Sequence, residues 1–158
     1  MDAGLQGRLE FLTRVVRKES RYLILTDERL FADLLEPAGL ERVLQDSVLA
    51  ERLDAFVSRF GRLQDTLADK LLPALLDASA EPRGAAIENL DRAEKLGWLS
   101  SADQWLEMRK LRNQMVHEYI EDRVILMNAL QAGHAFVPVL AQAAETLAFQ
   151  VQQRLGRV

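Results

Sequence analysis

The chain has 158 residues, 49% of them hydrophobic and 28% charged, and its net charge is −4. This composition is typical of globular proteins, and the length predicts one domain over residues 1–158. The chain contains no cysteine, which excludes disulfides and thiolate chemistry. The acidic balance argues against broad electrostatic binding of nucleic acid, although a local basic site remains compatible with it.

The N-terminal sequence MDAGLQGRLEF has no basic region followed by an apolar one. No uninterrupted apolar run approaches the roughly 18 residues needed to cross a bilayer. These features predict a cytoplasmic protein without membrane contact.

The spacing of apolar residues is helical from the start of the chain. Four residues step by four, three and four positions and predict a first amphipathic helix: Leu5, Leu9, Leu12 and Val16. The following segment is less regular. Residues 22–25 are interpreted as a buried connector, and Asp27 as the N-cap of a short helix that stops before Pro37.

The next apolar pattern is longer. Its members predict one long helix: Leu49, Leu53, Phe56, Phe60, Leu63, Leu67, Leu71 and Leu75. Pro73 is expected to bend the last turns, because proline lacks a backbone donor. A third helix is predicted from about residue 84 to 96, with Gly97 at its C-terminal cap.

Two more helices complete the pattern. Ser101 followed by Gln104 indicates a capping box that starts a fourth helix. Apolar residues at spacings of three and four then predict a last helix of thirty-odd residues, beginning near Asp122 and kinked at Pro138. The predicted fold is therefore all-α, an antiparallel up-and-down bundle of four or five helices.

The stretch LRNQMVHEYI, residues 111–120, combines an Arg, an Asn, a His and a Tyr. Helical spacing places Arg112 on one face with Trp105, Met108, Met115 and Tyr119. A guanidinium is seldom buried without a partner, so its head should reach solvent or meet an anion.

Asn113 and His117 share a different face, where the amide could orient the imidazole. Arg112 and His117 are separated by about 140° around a regular helix. They converge if the helix loosens at HEYIED, residues 117–122, before the last helix begins, or if two copies of the motif meet across a dimer; both can hold together.

The pattern R-x4-H-x-Y in RNQMVHEY resembles the HEPN superfamily of small helical bundles, and its tyrosine resembles the HepT-like branch of toxins. That branch pairs with a nucleotidyltransferase antitoxin and overlaps proteins named as nucleotidyltransferase substrate-binding subunits. The chain length, the helical pattern and the position of the motif before the last long helix extend the resemblance over most of the chain.

The resemblance implies a homodimeric endoribonuclease that needs no metal or cofactor and leaves 2′,3′-cyclic phosphate and 5′-hydroxyl ends. Arg112 would bind phosphate, Asn113 would be its polar companion, and His117 would be the acid/base group. Tyr119 would receive AMP from the antitoxin and so silence the toxin. The other histidine, His134, lies in the apolar region of the last helix and is interpreted as structural.

Arg62 and Asp65, three positions apart on the long helix, can pair with each other. Packing could instead bring one of them to the motif, to orient Arg112 or to bind RNA; a solvated charged face is the alternative. Two other functions remain open: a non-catalytic substrate-binding subunit of a nucleotidyltransferase, and a plain dimerising bundle. A neighbouring nucleotidyltransferase gene would support the toxin and the subunit over the bundle.

Overall fold

The computed structural model describes residues 1–34, 36–117 and 121–156, and these are almost entirely helical, with no β-strand among them. The helices are α1 (Ala3–Asp33), α2 (Pro37–Gln45), α3 (Ser47–Asp65), α4 (Leu72–Ala78), α5 (Ala86–Lys95), α6 (Ala102–His117) and α7 (Arg123–Arg154). A π-helical segment, Thr66–Leu71, joins α3 to α4. The all-α prediction is confirmed.

Helix α1 is longer than the sequence pattern indicated. Leu9, Leu12 and Val16 are buried as predicted, but the helix continues without a break to Asp33. The predicted connector and cap are wrong: in residues 22–25 only Leu23 is buried, and Asp27 lies inside the helix. The inward face of this half carries buried polar side chains, among them Ser20 and Thr26, which interrupt the apolar period used to recognise a helix.

The long helix predicted from residue 49 onward is confirmed as a continuous run of α3, the π-helical segment and α4. The irregularity expected at Pro73 lies just before it, where the Leu72 amide donates to the carbonyl of Leu67, five residues back. A proline in the first turn of α4 has no amide to donate and crowds the preceding turn. Widening that turn to a π-helix relieves the crowding.

Both predicted helix ends around residues 97–104 are confirmed. Gly97 has a φ of +77°, and the amide of Trp98 donates to the carbonyl of Ala93 at 2.8 Å, closing α5 with a Schellman motif. Ser101 Oγ accepts from the amide of Gln104 at 3.1 Å. The Gln104 side chain accepts from Ser100 instead of returning to Ser101, so only half of the capping box forms.

Helix α7 is capped by Asp122, whose carboxylate accepts from the amides of Val124 and Ile125. By length and composition it is apolar enough to cross a membrane, a property that the core helix of a soluble protein shares. It packs against α1 and α6, and buried residues such as Leu130, Leu140 and Val151 run along it. Helix α3 in turn packs against α1 and α6, which places the C-terminal half of α6 beside α3.

Candidate functional site

The Arg112 side chain lies against the backbone of α3. Its face on α6 is otherwise buried as predicted, through Trp105, Met108 and Met115. A Cβ built on Gly61 would lie 2.6 Å from Arg112 Nε and 3.1 Å from Cδ. The guanidinium thus rests where α3 has only a glycine, and a larger residue would displace it.

Asp65, one turn after Gly61, holds the head of this side chain. Its Oδ1 accepts from Arg112 Nη1 at 2.7 Å. The Arg112 side chain is 36% exposed and that of Asp65 37%. A charged hydrogen bond of this length fixes the guanidinium plane, and the remaining guanidinium N–H groups can still meet an anion.

Of the alternatives left open for Arg62 and Asp65, the structure shows the contact with the motif: Asp65 pairs with Arg112 across the helix contact and, among the described residues, not with Arg62. Arg62 donates instead to Ser58 Oγ at 3.2 Å. The structure nevertheless brings Arg62, Asp65 and Arg112 to one cleft of about 260 Å³, together with Gly61 and Ser58.

His117 is the last residue of α6 and is exposed. It lines a second cleft, of about 470 Å³, with Asp54, Glu121 and Met115. Both clefts are bordered by Val57, Ser58 and Val116, so they adjoin each other, and together they are called the groove between α3 and the end of α6. His117 and Arg112 both line this groove despite their angular separation on the helix.

The other two residues of the motif differ in what the structure says of them. Asn113 is exposed and does not line the groove, and no hydrogen bond joins it to His117 in the described part of the chain. Tyr119 lies outside the described residues, so its predicted role is not addressed by the geometry.

The groove combines two groups useful for phosphodiester chemistry. An anchored guanidinium can bind a non-bridging phosphate oxygen and stabilise the negative charge that develops on it. An exposed imidazole can act as a general base or a general acid. Gly61 and Ser58 were missed as parts of this site; an isolated glycine inside an amphipathic helix is a sequence signal that could have found the first of them.

The second histidine is engaged elsewhere. His134 Nδ1 lies 2.7 Å from Asp27 Oδ1, and its ring stacks on Phe31 with the centroids 4.1 Å apart. Burial raises the pKa of Asp27 above its ordinary value, and the hydrogen bond with His134 opposes this rise. His134 thus has a packing and hydrogen-bonding role between α1 and α7.

A separate cavity of about 390 Å³ lies at the opposite end of α6. Trp98 and Trp105 form part of its wall, facing Pro138 and Val139 of α7. No charged side chain lines it among the described residues, so it offers neither the acid/base group nor the cation of the α3–α6 groove.

Comparison of the chain with models of protein families, with curated proteins and with solved structures finds no match.

Proposed function

We propose that the protein is an endoribonuclease toxin of the HEPN type, with an up-and-down helical bundle and a catalytic groove between α3 and α6. The observation that carries the proposal is the pairing of Arg112 with Asp65 in the groove whose other end holds His117. A guanidinium fixed by a carboxylate yet still accessible is suited to binding a phosphodiester.

The proposed reaction is a transesterification within RNA. His117 accepts the proton of a ribose 2′-hydroxyl, and the 2′-oxygen forms a bond to the adjacent phosphorus. The bond from phosphorus to the 5′-oxygen breaks, and an imidazolium protonates that leaving oxygen. Arg112 stabilises the non-bridging oxygens. The products are a 2′,3′-cyclic phosphate and a 5′-hydroxyl, so atoms and charge balance without an added co-reactant.

The second acid/base group is assigned to a second copy of the chain. The described part of the protein has one histidine in the groove and a second, His134, engaged with Asp27. A homodimer that apposes two grooves would supply one imidazole as base and another as acid. The exposed apolar side chain of Val116, which borders both clefts of the groove, supports a contact there.

Regulation by a nucleotidyltransferase antitoxin completes the proposal. Tyr119 follows His117 by two positions, so an AMP group on its hydroxyl would add an anion beside the groove and compete with RNA for Arg112. The proposed setting is the cytoplasm, with RNA as the substrate and no membrane partner.

The direct test is incubation of the purified protein with a defined RNA in EDTA, beside His117→Ala and a circular-dichroism check of helicity. We expect fragments with cyclic-phosphate ends from the wild type and none from the variant. Cutting that persists unchanged in His117→Ala would remove this histidine from the mechanism. No cutting by the wild type on several RNAs would favour the non-catalytic substrate-binding subunit.

A further inference from the structure

A further cleft adjoins the groove at Arg112 and reaches α1. A third cleft, of about 200 Å³, is lined by Glu19 and Tyr22 of α1 and by Arg59 and Arg62 of α3. Arg62 borders both this cleft and the one that holds Arg112. The three clefts are therefore neighbours, in the order His117, Arg112 and Tyr22 with Arg62 between the last two, and this row of clefts is called the path.

The far end of this path carries an aromatic ring supported by a cation. The carbon at the centre of the Arg59 guanidinium lies 5.4 Å from the centroid of the Tyr22 ring. Arg59 Nη1 also donates to the Tyr22 carbonyl at 3.3 Å and to the hydroxyl of Thr26. These bonds fix Arg59 against α1, while 47% of Tyr22 remains exposed.

In the third cleft two guanidinium groups face one carboxylate. Arg59 and Arg62 form no ion pair within 4.0 Å of a carboxylate among the described residues. The acid in the cleft, Glu19, is tied to the hydroxyl of Thr66 at 2.9 Å. Burial raises the pKa of Glu19 above its ordinary value of 4.5, and Thr66 and Arg62 oppose this rise.

We propose that this cleft is a binding subsite for single-stranded RNA, in which Tyr22 stacks on a base and Arg62 contacts the phosphate between that base and the Arg112 groove. Exposed aromatic rings next to arginines are how proteins hold unpaired nucleotides, because every base has a face that stacks. A duplex keeps its bases paired and stacked, and they cannot reach a side-chain ring. The subsite rests on the proposed function and names the form of RNA that would enter the groove.

The test uses a fluorescent RNA with 2′-O-methyl riboses, which binds but cannot be cut, and follows its anisotropy at several salt concentrations. The variants are Tyr22→Leu, Tyr22→Phe and Arg62→Ala, with Arg83→Ala as a control. Arg83 is exposed in the connection between α4 and α5, so its loss removes the same unit of charge away from the path. Circular-dichroism melts check that each variant folds.

We expect Tyr22→Leu to weaken binding by about tenfold with an unchanged salt dependence, and Tyr22→Phe to bind like the wild type. Arg62→Ala should lower the slope of log affinity against log salt by roughly 0.7, as loss of one phosphate contact on a single strand does. Arg83→Ala should leave that slope unchanged.

Three results would contradict the subsite. The first is that folded Tyr22→Leu and Arg62→Ala bind RNA like Arg83→Ala, and the second is that the wild type binds no single-stranded RNA. The third is that a duplex binds as tightly as single-stranded RNA and loses as much affinity in these variants. Cleavage of unmodified RNA is measured separately. If the wild type binds RNA through Tyr22 but never cuts it, the proposed ribonuclease activity is contradicted and the subsite stands. If the wild type cuts RNA with no dependence on Tyr22 or Arg62, the subsite is contradicted and the ribonuclease activity stands.

Discussion

Gly61 and Arg112 are in such close contact that a Cβ at residue 61 would lie 2.6 Å from Arg112 Nε. The glycine belongs to α3 and the arginine to α6, so the position of the guanidinium depends on both helices. The absence of a side chain at one residue therefore decides where the charge of another can be.

Replacing Gly61 with alanine should displace the Arg112 side chain from its position against α3. We expect Gly61→Ala to lower RNA cleavage by roughly tenfold or more, because a fixed phosphate contact contributes a few kcal/mol to the transition state. The Nε–H resonance of Arg112 should shift in the NMR spectrum even if the protein proves to have no nuclease activity.

Gly7→Ala is the matched control for that change. Gly7 also lies inside a helix, and a Cβ there would meet nothing within 4 Å. Alanine is the better helix former by about 1 kcal/mol, so Gly7→Ala should raise the melting temperature and leave cleavage unchanged. Equal behaviour of the two variants would contradict the role of Gly61.

Removing Asp65 should separate positioning from binding. We expect Asp65→Ala to reduce kcat by roughly tenfold, because the guanidinium loses its anchor, while RNA affinity holds or rises as a negative charge leaves the groove. Steady-state kinetics distinguish the two effects.

Asp69→Ala provides the comparison for Asp65, because Asp69 Oδ1 pairs with Arg109 Nη2 at 2.9 Å in a parallel contact one turn further along. Asp69→Ala removes a similar ion pair to α6, from the π-helical segment instead of α3, but should leave kcat unchanged. A drop in kcat of the same size in both variants would show that only the helix contact matters.

Glu19 predicts a pH dependence of stability. Burial raises its pKa above 4.5, so the folded state holds the proton more tightly than the unfolded state does. Its contribution is therefore favourable at low pH and is lost as pH rises from about 4.5 through the raised value. Urea unfolding should show a smaller decline between about pH 4 and pH 7 in Glu19→Gln than in the wild type.

The control for Glu19 is Glu51→Gln, a change at an exposed residue of α3, which should leave the slope of stability against pH as it is in the wild type. A Glu19→Gln variant with the full decline would show that other carboxyls, Asp27 among them, account for it.

Tyr119→Phe should retain cleavage and escape silencing by the antitoxin, because the ring stays while the hydroxyl that would accept AMP is lost. Mass spectrometry after incubation with a nucleotidyltransferase partner and ATP measures the added group. Tyr22→Phe, at the other tyrosine of the chain, is the control and should be modified like the wild type. AMP found on any residue but Tyr119 would contradict the assignment.

The helical spacing of apolar residues predicted the helices correctly where their buried face is apolar, and it failed where that buried face is polar. The stripe through Phe56, Phe60 and Leu63 is entirely buried, and the helix there was predicted correctly. In α1 three buried side chains are polar, Ser20, Thr26 and Asp27. Two of them have partners on other helices, Arg59 for Thr26 and His134 for Asp27. Such partners are distant in sequence, so a local pattern cannot reveal them.

The same limit applies to the site. Arg112 and His117 are five residues apart and could be singled out together, because residue type and spacing are local. Whether Asp65 pairs with Arg62 or with Arg112 could not be decided, since that depends on how α3 rotates against α6. The close fit of Arg112 against Gly61 depends on the distance between α3 and α6. The spacing of residues along one helix does not encode that distance.

The fluorescence of the two tryptophans of the chain reports on only one end of α6. Trp98 and Trp105 are both buried beside the cavity at the start of α6, whereas Arg112 and His117 belong to the groove near its end. Intrinsic fluorescence will therefore report the separation of α6 from α7 during unfolding. RNA bound in the groove will change this fluorescence very little. Binding studies on this protein need a label on the RNA.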